Sequence, residues 1–209
     1  MNTSILRNDI LSKGAILGGV MLVARIAEML MRYYGGLYLL LFIGLVAIVS
    51  MVVYCYLMYR FTKNYSKLVV KERTELPHFT YGNGLSYAIL ISMLAGVIVA
   101  IGSYIVIHGI IGYDNYIDTY SEFLKSAIVQ LQQLEPHVDA SLTDLIELNK
   151  QELSRIETST EPTIIDTIVV DVWSYLISGV LVGAIVAIFT RRKPQIVKKN
   201  EEQEKQDEQ

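Results

Sequence analysis

The chain has 209 residues, of which 52% are hydrophobic, and a formal net charge of −3 at pH 7. The apolar residues are clustered rather than dispersed, which excludes an ordinary soluble domain. A helix that crosses a bilayer needs roughly 20 consecutive, mostly apolar residues. Four segments meet this requirement: Gly14–Tyr34, Leu37–Tyr59, Leu85–Gly112 and Ile164–Thr190. They lack the short alternating stretches of about 10 residues typical of barrel strands. The sequence therefore predicts an all-α integral membrane protein with four transmembrane helices.

The net charge averages segments of opposite sign. The segment after the second span is basic, through Arg60, Lys63, Lys67, Lys71 and Arg73. Segment 113–163 instead carries ten acidic side chains against Lys125, Lys150 and Arg155. The chain becomes basic again after the fourth span, from Arg191 onward. Since basic loops stay in the cytoplasm, the pattern predicts a multi-pass protein of the bacterial cytoplasmic (inner) membrane, with both termini cytoplasmic.

The same pattern divides the chain into topological segments. These are a cytoplasmic N-terminus (1–13), spans one to three (14–112) with a basic cytoplasmic loop (60–84), an acidic extracytoplasmic helical segment (113–163), span four (164–190) and a disordered cytoplasmic tail (191–209). Three charged residues directly follow the first short apolar run: Arg25, Glu28 and Arg32. Their position favours a retained first span over a cleaved signal peptide.

The connections between spans contain recognisable turn and cap signals. Gly35 and Gly36 predict a tight turn between the first two spans. The second helix is expected to continue through the basic residues until Pro77 stops it. The stretch 82–84, Gly-Asn-Gly, predicts a loop before the third span. Thr163 with Asp166 three residues later predicts a capping box at the start of the fourth span.

The acidic segment 113–163 has the period of amphipathic helices. Apolar side chains recur at three- and four-residue spacing at Ile117, Tyr120, Leu124, Ile128, Leu131 and Leu134. Pro136 interrupts this pattern, which then continues more weakly from Leu142 to Ile156. The segment predicts two helices that form a small extracytoplasmic cap. A ligand- or partner-binding domain is the alternative, in which a protein partner would bind through residues 113–163.

Ionisable side chains inside the bilayer are costly and mark the first candidate site. The expected intramembrane polar cluster consists of Arg25, Glu28, Arg32, His108 and Asp171. Counted at the helical rise, the four deeper members lie about 6–13 Å below the outer ends of their spans. One interpretation is an internal ion-pair network that fixes helix packing, with the charged face of the first span turned towards the bundle interior. The other is a proton or ligand site reached from outside.

Small residues predict where the helices approach one another. Gly14 and Gly18 lie on the charged face of the first span, and Gly179 with Gly183 forms a GxxxG pair in the fourth. Glycine at such spacing lets two helix backbones come close in a membrane. These four residues are the predicted helix-packing positions.

Several kinds of chemistry are not expected. The three histidines, His78, His108 and His137, fall inside, within and outside the membrane on this topology, so no single site collects them. No metalloprotease, phosphate-binding or hydrolase motif is present. Cys55, the single cysteine, lies in an apolar span and is expected to be a structural thiol. We therefore expect no catalytic residue, metal, cofactor or nucleic-acid partner.

The layout resembles an uncharacterised family of small four-span membrane proteins, found chiefly in Bacteroidetes-type bacteria and classified as a domain of unknown function. The resemblance depends on the glycine-rich start of span one (residues 14–19), the Gly35–Gly36 turn, the Tyr59–Arg60 exit, Phe79-Thr-Tyr-Gly before span three, and the basic end of span four. The resemblance implies a fold and a membrane location, but no activity.

Two function hypotheses follow. The first is a non-enzymatic accessory or interaction module that acts through the extracytoplasmic cap or through helix contacts. The alternative is a small transporter or channel subunit that uses the intramembrane charged cluster. The sequence defines no ligand and no oligomeric state for either.

Overall fold

The structure, a computed structural model, describes residues 3–34, 37–72, 79–134, 141–158 and 160–192. Within these ranges the secondary structure is helical except for one isolated β-bridge. The helices are α1 (Thr3–Tyr33), α2 (Leu37–Glu72), α3 (Tyr81–Tyr104), α4 (Tyr113–Leu134), α5 (Ser141–Thr158) and α6 (Ile164–Thr190), and a π-helical segment (Ile105–Ile111) continues α3. The prediction of an all-α fold is confirmed.

Four helical segments are long and apolar enough to cross a membrane: Leu6–Tyr33, Phe42–Val70, Tyr81–Ile111 and Ile164–Thr190. They confirm the four predicted transmembrane helices. α2 continues to Glu72 through the basic residues, as expected. The turn at Gly35–Gly36, the helix stop at Pro77, the interruption at Pro136 and the tail from Lys193 lie outside the described residues.

α3 is the centre of the bundle, and α1 packs along one side of it in parallel. Gly14 faces Leu94, Gly18 faces Ala95 and Ile98, and Leu22 faces Gly102. A Cβ atom on Gly18 would lie only 2.9 Å from Cβ of Ile98. Both glycines predicted on the first span therefore lie at a close helix contact.

α6 packs antiparallel on the other side of α3 along a stripe of small residues. On α3 this stripe is Gly84, Ala88, Ser92 and Gly96 at four-residue spacing. On α6, Ala187 contacts Gly84, Gly183 contacts Ala88, Gly179 contacts Ser92, and the backbone at Val172 contacts Gly96. Helices in a membrane associate by close packing rather than by the hydrophobic effect. This stripe brings α3 and α6 together over four contact positions and is the main contact of the bundle.

One local prediction was wrong. Residues 82–84 are not a loop but belong to the first turn of α3, which Thr80 caps by accepting a hydrogen bond from the backbone N–H of Asn83 at 3.2 Å. Gly84 is needed for close approach rather than for a turn. A Cβ atom there would lie 3.2 Å from both Ala187 and the ring of Phe79.

α2 contacts the other helices through hydroxyl and aromatic side chains. The ring of Tyr65 stacks on Tyr87 at 4.2 Å, and the Tyr87 hydroxyl donates to Asp9 of α1 at 2.6 Å. At the same end, Phe79 and Arg192 exchange two backbone hydrogen bonds, and Nε of Arg192 donates to Ser66 at 3.1 Å. These contacts bring the start of α1 and the end of α6 to the same end of the bundle.

Deeper in the bundle, Tyr54 and Ser92 are buried and their oxygens are 2.8 Å apart. Ser92 donates its own proton to the Ala88 carbonyl, so Tyr54 is the donor of this pair. We expect Tyr54→Phe to lower the free energy of unfolding by about 1 kcal/mol, the net value of a typical hydrogen bond. Thermal unfolding in detergent measures this.

Tyr56→Phe is the matched control, since Tyr56 is 56% exposed on the same helix. We expect Tyr56→Phe to leave the midpoint temperature of thermal unfolding unchanged. Equal shifts for the two variants would contradict a stabilising role for the bond between Tyr54 and Ser92.

α4 and α5 form an antiparallel hairpin, which confirms the two predicted amphipathic helices. Phe123, Leu124 and Ile156 are buried between them, and Nζ of Lys125 lies 3.0 Å from Oε1 of Glu157. Ile43 of α2 also packs against this small core. The α4–α5 hairpin is therefore attached to the bundle at the end opposite to the Phe79–Arg192 bridge.

Candidate functional site

The five residues predicted as one intramembrane cluster occupy three separate environments. Arg25, Glu28 and Asp171 lie between the spans, Arg32 contacts the α4–α5 hairpin, and His108 contacts the segment that joins the hairpin to α6. No described hydrogen bond or ion pair joins all five residues, although the charges of both Arg25 and Arg32 act on Tyr116 of α4.

Arg25 and Glu28 form an ion pair one helical turn apart on α1. Nη1 of Arg25 lies 3.7 Å from Oε2 of Glu28. The Glu28 side chain is mostly buried at 16% exposure, whereas that of Arg25 is 43% exposed. The charged face of α1 is therefore only partly turned inward, because the long arginine stem leaves the helix contact.

Asp171 of α6 shares the electrostatic environment of this pair. It is half-buried and has no hydrogen bond or ion pair with any described residue, but the charge of Arg25 acts on it. Tyr175, one turn further along α6, is influenced by Asp171, Arg25 and Glu28 together. Arg25 is therefore the positive charge that acts on both carboxylates of this layer, and it pairs directly only with Glu28.

A groove of about 220 Å³ lies next to this layer, between α1, α2 and α6. It is lined by Met21, Ser50, Met51, Tyr54, Ser174, Tyr175 and Ser178. The hydroxyls of Ser50 and Ser174 donate to carbonyls of their own helices, those of Val46 and Val170. The Tyr54 and Tyr175 rings meet edge to face at 6.2 Å. Ser174 and Ser178 follow Asp171 by three and seven residues, a helical spacing visible in the sequence, whereas the α2 side of the groove has no such signal.

Arg32 connects the end of α1 to α4. Its Nη1 donates to the Tyr120 hydroxyl at 3.2 Å, and its guanidinium lies 5.4 Å from the centre of the same ring. Burial raises the pKa of the neighbouring Tyr116 phenol, and the charge of Arg32 opposes this shift. Tyr116 therefore stays neutral at physiological pH. A third contact, from Asn115 to the Tyr33 hydroxyl at 3.0 Å, adds to the attachment.

His108 lies in the π-helical segment at the end of the third span. Its ring stacks between Tyr104 at 4.0 Å and Tyr113 at 5.1 Å. Nδ1 lies 2.9 Å from Oε1 of Glu161, so the ring N–H donates to the carboxylate. Gly112, at φ +87°, then turns the chain into α4. Sequence reasoning did not identify Glu161, which precedes the Thr163–Asp166 capping box that the structure confirms.

An acidic groove of about 620 Å³ lies on the α4–α5 hairpin. Its carboxylates are Asp114, Asp118, Glu122, Glu157 and Glu161, and its one basic residue is Lys125. The first three lie at four-residue spacing on one face of α4. That spacing is visible in the sequence, but the prediction of an overall acidic segment did not single it out. Within the described ranges no three His, Cys, Asp or Glu side chains converge as metal ligands do.

A helical bundle with four membrane-crossing segments and an acidic hairpin at one end defines a multi-pass integral membrane protein. The chain belongs to the family described as Protein of unknown function (DUF4199), which matches residues 13–192. The match includes the first transmembrane helix from residue 13 onward and the other three in full, and it ends at the residue that pairs with Phe79. It confirms the resemblance to a family without assigned activity, while a Bacteroidetes distribution stays a prediction. No curated protein and no solved structure matches the chain.

Proposed function

We propose that the protein is a non-enzymatic binding module of a bacterial cytoplasmic membrane, with the α4–α5 hairpin on the outer face as its recognition element. The observation that carries this proposal is the firm attachment of an acidic, open groove to the membrane bundle. Arg32, Tyr33 and Ile43 anchor α4 from the spans, and His108 anchors the segment that leads from the hairpin into α6. We expect these four contacts to hold the groove in one orientation, which would lower the entropic cost of binding.

The proposed orientation is tested by cysteine labelling of intact cells. Cys55 is first replaced by serine, and single cysteines are then introduced at Lys150 on α5 and Lys67 on α2, both of which are exposed. We expect a membrane-impermeant thiol reagent to label the Lys150→Cys variant only.

Permeabilised cells supply the control, since both variants must then be labelled. If only the Lys67→Cys variant were labelled in intact cells, the topology would be the reverse of the proposed one. The hairpin would then face the cytoplasm, in contradiction to the proposal.

The binding role is tested by site-specific photo-crosslinking in living cells. A photoreactive side chain at Glu122, inside the acidic groove, is expected to give a discrete adduct. The same side chain at Lys150, outside that groove, is expected to give none. Adducts of equal yield at both positions would contradict recognition through the groove, and adducts at neither position would contradict recognition of a protein there.

The alternative is a small transporter or channel subunit. The observation that favours it is the position of Arg25, Glu28 and Asp171 between the spans and beside a groove, since ionisable groups inside a membrane mark ion and substrate pathways. The neutral triple variant Arg25→Gln/Glu28→Gln/Asp171→Asn separates the two functions.

A further inference from the structure

The acidic groove on the α4–α5 hairpin has an extended row of carboxylates rather than a convergent set. Asp114, Asp118 and Glu122 follow one another by one helical turn, which places them about 6 Å apart along the α4 axis. Glu157 and Glu161 line the same groove from the segment at the end of α5. A single metal ion requires oxygen ligands at about 2.0–2.6 Å, whereas this row matches a ligand whose charges are distributed along a chain.

The charges of the groove are not balanced by the described part of the protein. Lys125 pairs with Glu157 at 3.0 Å, and His108 contacts Glu161 at 2.9 Å. The three carboxylates on α4 have no ion pair with any residue that the structure describes. Like charges one turn apart on a helix repel each other, so a bound polycation would stabilise α4.

A second, independent feature of the groove is Ser121. It lines the groove, is only 9% exposed, and its hydroxyl has no hydrogen-bond partner among the described residues. A serine hydroxyl on a helix commonly donates to a backbone carbonyl one turn earlier, but that of Ser121 does not, and its oxygen is not fully buried. In the groove this hydroxyl is available to accept a hydrogen bond from an N–H group of a ligand.

The groove also has an apolar part. The partly exposed Ile117 and the edge of the largely buried Ile156 line it. Methylene groups of a ligand would bury apolar surface against these side chains while its amines reach the acids. Carboxylates at regular spacing, an unpaired hydroxyl and an apolar surface together fit alternating ammonium and methylene groups.

We propose that the acidic groove binds a linear polyamine, with its protonated amines along Asp114, Asp118 and Glu122 and one N–H donating to Ser121. This inference rests on the proposed function of the hairpin as a recognition element, and it specifies the chemical class of the ligand. It requires neither a particular membrane orientation nor a protein partner.

The test is calorimetric titration of the purified full-length protein in detergent with the triamine spermidine at low salt. We expect saturable binding of one equivalent. The double variant Asp118→Asn/Glu122→Gln is expected to weaken binding at least tenfold. Its matched control is Asp144→Asn/Glu147→Gln, which removes the same two charges from α5 outside the groove and is expected to bind as the unmodified protein does.

Ser121→Ala keeps every charge and is expected to weaken binding several-fold. Thermal unfolding without ligand shows whether each variant is folded, and Ser121→Ala provides the decisive comparison if the double variant is not. The proposal would be overturned if Ser121→Ala bound spermidine with unchanged affinity, or if the two double variants lost the same amount of spermidine affinity. It would also be overturned if Mg²⁺ bound as tightly as spermidine. So would the absence of spermidine binding. A protein adduct at Glu122 without spermidine binding would reject the polyamine and keep the recognition function.

Discussion

Replacing Gly179 or Gly183 by leucine is expected to prevent the four-helix bundle from folding. A Cβ atom at Gly179 would lie 2.7 Å from Cβ of Ser92, and one at Gly183 would lie 2.8 Å from Cβ of Ala88. Both neighbouring atoms are fixed to the backbone of α3, so a rotamer change cannot relieve the contact. Overpacking costs about 1–3 kcal/mol where side chains can move, and occasionally more. Here α6 would have to move away from α3 at the main contact of the bundle, so we expect a free-energy cost above that range.

The measurement is the yield of monodisperse protein after detergent extraction, followed by thermal unfolding. Gly44→Leu and Gly19→Leu are the controls, because a Cβ atom at either position meets nothing within 4 Å. Gly14→Ala is expected to have an intermediate effect, since its nearest neighbour is the flexible tip of Leu94. Normal yield from Gly183→Leu would show that α3 and α6 do not pack along this stripe.

Arg25→Gln is expected to lower stability more than any other single polar substitution in the spans. It leaves the mostly buried Glu28 without its ion pair and Asp171 without the positive charge that acts on it. Breaking a buried pair costs about 3–5 kcal/mol. Because the Arg25 side chain is 43% exposed, we expect a smaller loss, of about 2–3 kcal/mol. Thermal unfolding and extracted yield measure it.

Two further variants identify the cause. Arg25→Lys keeps the charge and is expected to retain most of the stability, whereas the neutral triple variant Arg25→Gln/Glu28→Gln/Asp171→Asn is expected to recover it. Arg155→Gln breaks the exposed pair with Glu152 and should have little effect. No recovery in the triple variant would contradict an electrostatic origin of the loss.

The same triple variant separates the two functions. A folded, neutral protein that still gives the Glu122 adduct supports a binding module. A folded protein that has lost a solute- or pH-linked growth phenotype supports the transporter alternative instead.

Features that depend on local pattern were predictable from the sequence. Hydropathy located the four spans, helical periodicity located α4 and α5, and the Thr163–Asp166 capping box marked the start of α6. Each of these follows from residues close together in the chain. GxxxG spacing likewise pointed to Gly179 and Gly183 as contact positions.

Features that depend on how helices are rotated against one another were not predictable. Arg32 lies on the charged face of α1 with Arg25, yet it reaches Tyr120 on a helix that sequence periodicity could not position. His108 was assigned to the intramembrane layer, but its partner Glu161 is on the other side of the hairpin in sequence. Gly84 was read as a loop residue because its close neighbour, Ala187, lies near the far end of the chain.

The central position of α3 has a consequence for biogenesis. Chains are made and inserted from the N-terminus, so α3 enters the bilayer when only α1 and α2 are there to receive it. Its parallel contact with α1 can form at once, whereas the stripe from Gly84 to Gly96 has no partner until α6 emerges from the ribosome after the whole hairpin. During that interval the nascent protein carries an unoccupied, small-residue helix surface in the membrane. A ribosome that stalls before residue 164 would leave that surface for the insertion machinery, or for the proteases of membrane quality control.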